Sequence, residues 1–156
     1  FPYFPEVMTG FEYVAAVGML YEGGHDRGLE AIRDIRARYD GRRRNPFDEA
    51  ECGHHYARAM ASWAAVLALT GFHYSAVTGT LTLGSRAGRW FWSSGDAWGS
   101  VVIEPAASAN RVRLDVAEGA IDLAGIVIDG PGRYRLPARR RLTAGDYLDA
   151  VVPWVT

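Results

Sequence analysis

The apolar residues of this chain change their spacing near Gly71, and that change limits the folds that the chain can adopt. Before Gly71 they recur at every third or fourth position, which is typical of amphipathic helices. After it, short runs alternate between apolar and polar residues and are separated by Gly, Pro, Asn and Asp, which is typical of strands joined by turns. Helices followed by strands predict an α+β fold.

Three helices are predicted before the change in spacing. The first covers residues 6–22 and ends at two glycines. The second runs from the N-cap Asp26 to about residue 39, and the third covers about residues 54–69. The first helix carries the amphipathic spacing of Val7, Phe11, Val14, Val17 and Leu20 or Tyr21, and the second has the buried stripe Leu29, Ile32, Ile35 or Arg36, and Tyr39. The third has Tyr56, Met60, Trp63 and Val66 or Leu67 on one side.

Seven short strands are predicted after Gly71 from runs with a period of two. They cover residues 80–83, 89–92, 98–103, 111–116, 120–128, 134–136 and 147–152. Residues 111–116 alternate most regularly, as a half-exposed strand should.

Composition adds limits on partners and location. The net charge of −1 gives no bulk attraction to nucleic acid, so no nucleic-acid partner is expected. The chain lacks a run of about 18 apolar residues, the length that spans a membrane, and it lacks a signal-peptide pattern. We therefore expect a cytoplasmic location, with membrane contact left open. A single cysteine, Cys52, excludes an internal disulfide framework.

Carboxylates, histidines and arginines are concentrated in residues 40–58, a loop that leads into the third helix. The simplest interpretation is a solvated surface loop whose acidic residues favour the helix dipole. A zinc site at Cys52, His54 and His55 is disfavoured, because adjacent residues point in different directions and the usual ligand spacing is missing. We therefore expect no metal and no other cofactor. The three consecutive arginines are likewise expected to be solvated or paired with carboxylates.

An aromatic cluster lies in the predicted strands. It consists of Trp90, Phe91 and Trp92, with Trp98 nearby, and it resembles in composition a platform on which sugar rings stack. Alternate residues of a strand face opposite sides, so at least one of the tryptophans is expected in the core. A core role is the default interpretation for the whole cluster.

Three longer stretches together carry a family resemblance. They are Glu6-Val7-Met8-Thr9-Gly10-Phe11-Glu12-Tyr13; the loop of residues 39–58 with its Arg-Arg-Asn-Pro…Glu-x-Glu-Cys-Gly…Tyr-x-Arg pattern; and residues 59–74. This combination resembles glycoside hydrolase family 116, which includes bacterial and archaeal β-glucosidases and non-lysosomal glucosylceramidases. Residues 91–99 also look like the β-hairpin that follows the last helix in such proteins.

The resemblance implies a fold and an activity. Residues 1–75 would be the C-terminal helices of an (α/α)6 toroid, and residues 76–156 a small, mostly antiparallel β-rich extension packed on it. Such proteins hydrolyse β-glucosides with retention, and their nucleophile and acid/base carboxylates would lie upstream. We therefore expect the C-terminal portion of such an enzyme, inactive alone and completed by its upstream remainder. The start at Phe1, without methionine, also leads us to expect a fragment, whose exposed helix faces would make the isolated chain self-associate.

The resemblance also implies a sugar-binding set. Residues matching Glu6, Glu49 and Arg58 hydrogen-bond glucose hydroxyls in the family, and Met8 and Thr9 complete the predicted substrate-binding residues. Charged groups bind hydroxyls strongly and hold the sugar ring as it flattens toward an oxocarbenium-like state. Met8 stands where the family commonly has tryptophan, which argues against strict glucose specificity.

Two other functions remain open. One is a non-catalytic carbohydrate-binding or interaction domain that kept the sugar-binding residues without the catalytic carboxylates. The other is an unrelated α+β binding module in which the dense loop is accidental. The sequence upstream separates the first of these from the hydrolase, because retaining hydrolysis requires a pair of carboxyl groups there.

Overall fold

The structure, a computed structural model, describes residues 7–47, 58–129 and 132–154. The chain divides into two compact units, Phe1–Leu69 and Thr70–Thr156, each with its own cluster of buried apolar residues. The first unit is helical and the second contains the strands. The boundary coincides with the change in apolar spacing near Gly71.

The helical unit contains α1 (Thr9–Tyr21), α2 (His25–Ala37), a short 3-10 helix (Arg58–Trp63) and α3 (Ala64–Thr70). The first two predicted helices are present with slightly different ends, and Gly24 rather than Asp26 is the N-cap of α2. Gly23, between α1 and α2, has a φ of 82°, a conformation that suits glycine. Among the described residues, no helix combines the length and the apolar character needed to cross a membrane.

The buried side of α1 agrees with the predicted one at Val17 and Leu20 and differs from it earlier in the helix. Tyr13, Val17 and Leu20 are buried, whereas Phe11 and Val14 are exposed over more than half of their surface. The apolar residues of α1 cover more than one side of the helix, so their spacing could not show which side faces its neighbours.

A glycine lets α1 and α2 pack closely. A Cβ atom at Gly28 would lie 2.6 Å from Leu20 Cδ2 and 2.8 Å from the carbonyl oxygen of Ala16. The guanidinium of Arg38, just after α2, also pairs with the carboxylate of Glu12 on α1. The two helices are therefore joined by close backbone approach and by one ion pair.

The third predicted helix turns its alanines, rather than its large residues, toward the core. In its described part, Ala65 and Ala68 join the buried cluster, whereas Met60 and Trp63 are 52% and 70% exposed. Both residues belong to the apolar helix faces that were expected to be exposed in the isolated chain. Alanine side chains occupy little space, and they allow close contact with the neighbouring helices.

Within the described residues, the second unit forms a seven-stranded sheet. Its strands are β1 (His73–Ser75), β2 (Thr80–Leu83), β3 (Gly88–Ser93), β4 (Ala97–Pro105), β5 (Ala109–Ile128), β6 (Gly132–Thr143) and β7 (Tyr147–Pro153). The predicted runs 111–116 and 120–128 form one continuous strand, and β1 was not predicted.

Strand β5 organises the sheet because its 20 residues pair with four other strands. Its first half pairs antiparallel with β4 and β7, and its second half pairs antiparallel with β6 and parallel with β2. Strand β3 adds to β4, and β1 adds to β2. Most strands have about 3–10 residues, so a strand this long stays within a compact unit by curling and changing partners.

The side of β5 that faces the core shifts along the strand. The buried residues are Val112, Leu114 and Val116, then Ile121 and Leu123 out of phase by one position, and then Ile126 and Ile128 in the first phase again. A β-bulge opposite Trp98 and Gly99 of β4 separates the first two sets, and a register shift between Leu123 and Gly125 in the pairing with β6 separates the last two. Gly119, next to the first bulge, has a φ of 78°. Because a bulge adds one residue and increases the twist, both halves of β5 can face the same core.

The fold class expected from the sequence is wrong. Among the described residues, strands account for 46% and helices for 28%, and the sheet is curled and mixed rather than small and mostly antiparallel. The three helices are not those of an (α/α)6 toroid. Apolar spacing shows that a helix buries one side but does not show which element covers it. The toroid was therefore carried by the resemblance alone, and the structure overturns it.

Replacing Gly119 with alanine is expected to destabilise the second unit by about 2–4 kcal/mol. The alanine would have to adopt a positive φ, and its Cβ atom would also clash with a neighbouring strand. That atom would lie 2.0 Å from the carbonyl oxygen of Asp96. Gly95→Ala is the matched control, because Gly95 has a φ of 93° but nothing lies within 4 Å of its Cβ position. Urea unfolding of both variants measures the difference. Equal losses of stability would contradict the role given to the close contact.

Candidate functional site

The predicted sugar-binding residues are only partly covered by the structure. Glu6 and Glu49 lie outside the described residues, and so does the side chain of Arg58, although its backbone begins the 3-10 helix. Met8 and Thr9 are described. The convergence of all five on one cavity therefore stays a prediction.

Met8 and Thr9 lie at the start of α1. Met8 is the N-cap, and its carbonyl oxygen accepts the backbone N–H groups of Phe11 and Glu12 at 3.0 and 3.3 Å. The side chain of Met8 is partly buried, and Thr9 is fully buried. Burial of a hydroxyl requires a hydrogen-bonding partner, and Thr9 has an interaction with other protein groups. These two residues are therefore fixed in place by the end of the helix.

The helix that begins at Thr9 packs against the 3-10 helix that begins at Arg58. Two segments about 50 positions apart in the sequence are thus neighbours within the helical unit. The structure brings together the elements that carry Met8, Thr9 and Arg58.

The described half of the dense loop, residues 40–47, is exposed and held by its own hydrogen bonds. Asp40 Oδ1 accepts the backbone N–H groups of Arg42 and Arg43, both at 2.9 Å. The N–H of Gly41, whose φ is 83°, donates to the carbonyl oxygen of Arg44 at 2.9 Å. A carboxylate that accepts successive backbone N–H groups forms a tight, ordered turn. The arginine run is solvent-exposed, as expected from the sequence.

The two backbone donors also act on the acidity of Asp40. The N–H groups of Arg43 and Arg42 stabilise its charged form and hold the pKa of this carboxyl below its ordinary value. The turn is therefore favoured while Asp40 is ionised.

Acidification should open this turn, and the sign follows from the lowered pKa of Asp40. The contribution of ionised Asp40 to the stability of the turn is fully present above the ordinary carboxyl pKa and is lost as the pH falls through the lowered pKa. Amide chemical shifts of Arg42 and Arg43, followed by NMR across the acid range, should change together at a pH below the usual aspartate midpoint. Asp40→Asn should abolish this transition. A midpoint at the ordinary value would contradict the assignment.

The aromatic cluster is divided between the core and the surface. Trp92 is fully buried, stacks on Phe72 with 6.0 Å between ring centroids, and donates its Nε1–H to the carbonyl oxygens of Ser100 and Asp115, both at 3.2 Å. Trp90 is partly buried, and its Nε1–H donates to a backbone carbonyl at 3.1 Å. The expectation that a tryptophan of this cluster lies in the core is confirmed.

Phe91 and Trp98 form an aromatic pair on the opposite side of the sheet. They are 52% and 48% exposed, their ring centroids lie 6.2 Å apart, and their planes are tilted by 33°. Both line an open cavity of about 390 Å³, which also includes Arg89, Ser100 and Asp115. Exposed aromatic rings next to polar groups are what a sugar-binding surface requires. The default core interpretation of the cluster is therefore wrong for these two residues.

Sequence analysis missed the polar residues that surround this aromatic pair. They lie on four strands and come together only through strand pairing: Arg89, Ser100, Arg113, Asp115 and Tyr147. The alternation of residues 111–116 did indicate which of their side chains face outward. It could not indicate which strands lie on either side.

Among the described residues, no group of three or more His, Cys, Asp or Glu side chains is placed to hold a metal ion. The disfavoured zinc ligands Cys52, His54 and His55 lie outside those residues. Neither protein-family models nor curated proteins gave a match to this chain. The resemblance to glycoside hydrolase family 116 therefore stays a prediction that rests on the sequence motifs.

Proposed function

We propose that this chain supplies sugar-binding residues to a retaining β-glycosidase similar to family 116, acting on a β-glucoside or related sugar. The observation that carries the proposal is the packing of α1, which begins at Thr9, against the 3-10 helix that begins at Arg58. That contact supports a common location for two motifs that are far apart in sequence.

The chemistry proposed for the charged residues is hydrogen bonding to sugar hydroxyls. Each hydrogen bond to a charged group contributes about 1.5–3 kcal/mol, and the orientation of the hydroxyls distinguishes one sugar from its epimers. Such contacts raise the rate when they are stronger in the flattened, oxocarbenium-like state than in the ground state. In this proposal Glu6, Glu49 and Arg58 make these contacts, and Met8 packs against an apolar sugar face.

Retaining hydrolysis also requires two carboxyl groups about 5–5.5 Å apart, one as nucleophile and one as acid/base. In our proposal an upstream segment of the same enzyme supplies both, so this chain alone is inactive. Exposed apolar residues in the helical unit, among them Phe11, Val14 and Trp63, support a larger protein that covers them.

In the intact enzyme, Glu49→Gln and Arg58→Met should each lower kcat/KM for an aryl β-glucoside by roughly 10- to 100-fold, the loss of one charged hydrogen bond. Glu30→Gln and Arg33→Met, at exposed positions of α2, are the matched controls and should leave kcat/KM unchanged. Steady-state kinetics on all four variants tests the site. Unchanged kinetics in both Glu49→Gln and Arg58→Met would remove these residues from the sugar site and favour the non-catalytic alternative.

The isolated chain should self-associate or bind a hydrophobic dye through the exposed apolar side of its helical unit. Sedimentation velocity and dye fluorescence measure this, and Phe11→Gln combined with Trp63→Gln should reduce both signals. Val77→Gln is the control, because Val77 is even more exposed to solvent but lies in a turn of the second unit. A monomer that unfolds cooperatively and does not bind the dye would count against a covering upstream segment.

A further inference from the structure

The outward side of β3, β4, the first half of β5 and β7 forms one continuous surface, which we call the outer face. Strand register places its side chains in rows that cross the four strands. One row is Phe91, Ser100, Asp115 and Tyr147, and the next is Arg89, Val102, Arg113 and Asp149. Adjacent strands are about 4.8 Å apart, so each row spans about 14 Å.

The middle of the outer face is held rigid by Arg113. Its Nε–H donates to Asp115 Oδ1 at 3.0 Å, its Nη1 lies 3.5 Å from Asp149 Oδ2, and its guanidinium carbon lies 4.0 Å from the centre of the Tyr147 ring. A side chain fixed by three neighbours loses little freedom when a ligand binds. These polar groups are therefore arranged before any ligand arrives.

Charges on the outer face balance. Three arginines alternate with three acidic residues: Arg89, Arg111 and Arg113 with Glu104, Asp115 and Asp149. A surface with no net charge does not concentrate an anionic polymer such as nucleic acid. It does offer both donors and acceptors to a neutral ligand, and hydroxyl groups use both.

Aromatic side chains lie at both ends of the first row. Phe91 with Trp98 is at the β3 end, and Tyr147 is at the β7 end. An open cavity of about 390 Å³ is lined by Phe91 and Trp98 at the β3 end, and a second open cavity of about 460 Å³ lies beside the first row, along Arg89, Arg113 and Asp149. Each cavity lies within the size range of small-ligand sites, about 300–1,000 Å³.

We propose that the outer face binds a neutral β-1,4-linked glycan of glucose or xylose, with its chain running across the strands. In these sugars every ring hydroxyl is equatorial, so both ring faces are apolar and flat and can lie on Phe91, Trp98 or Tyr147. The hydroxyls at the ring edges meet the Ser100 hydroxyl and the Asp115 carboxylate. A β-1,4-linked chain extends as a flat ribbon, which matches a row about 14 Å long with aromatic rings at its ends.

This site is distinct from the sugar site proposed above. It lies in the second unit and shares no residue with Met8, Thr9, Glu49 or Arg58. A hydrolase that acts on a polymer benefits from a second, non-catalytic contact, because binding at one site raises the effective concentration of the chain at the other. The outer face binds the glycan whether or not the hydrolase proposal holds.

Isothermal titration calorimetry of the full chain with cellotetraose and xylotetraose tests the proposal. One molecule of at least one of these tetrasaccharides should bind per chain, and Trp98→Ala should weaken binding by roughly tenfold or more. Trp63→Ala is the matched control, an exposed tryptophan in the helical unit, and should bind as the unaltered chain does. Asp115→Asn keeps the shape of the side chain and should also weaken binding. It serves as the second variant if circular dichroism shows that Trp98→Ala is unfolded.

Several results would overturn the proposal. One is the absence of any heat of binding with either tetrasaccharide, and another is an affinity in both Trp98→Ala and Asp115→Asn equal to that of the unaltered chain. A third is tighter binding of β-1,4-linked tetramannuronate, the anionic probe, than of the neutral chains. Association of the chain that is lost in Trp98→Ala but kept in Trp63→Ala would assign the outer face to a second copy of the protein instead. Failure here leaves the kinetics of Glu49→Gln and Arg58→Met untouched, so the two proposals can fail separately.

Discussion

The backbone pairing of β5 is the interaction on which the second unit depends. A strand has two hydrogen-bonding edges, and β5 uses both along its length, first with β4 and β7 and then with β2 and β6. The bulge before Gly119 and the register shift between Leu123 and Gly125 change the alternation so that the apolar residues are buried along the whole strand. Without these shifts, part of the apolar residues would face water.

The same pairing creates the outer face. Because β3, β4, β5 and β7 are hydrogen-bonded side by side, residues from four separate segments stand in rows, and the apolar core lies on the other side of the sheet. Trp92 and Phe91, adjacent in sequence, therefore have opposite roles. Trp92 anchors the core through two backbone carbonyl groups, and Phe91 joins Trp98 at the surface.

The helical unit depends on small residues. Gly28, Ala65 and Ala68 allow its helices to approach closely, while Trp63 and Met60 remain exposed. Small side chains at the contact let the helix backbones come close together and bury area, whereas a large side chain at the same position would hold the backbones apart. The 3-10 helix that begins at Arg58 packs against α1, and both elements carry motifs for which the sequence predicts sugar binding.

By itself, the sequence determined the type and order of most elements, because periods of three to four and of two reflect backbone geometry that each segment carries alone. It also identified the aromatic cluster and the dense loop as the chemically informative segments. Only the tertiary structure decided that the fold is mostly β, that residues 111–128 belong to one strand, and which side of each helix is buried. Those outcomes depend on contacts between segments far apart in the chain, and local spacing contains no information about which distant segment supplies the other side of a contact.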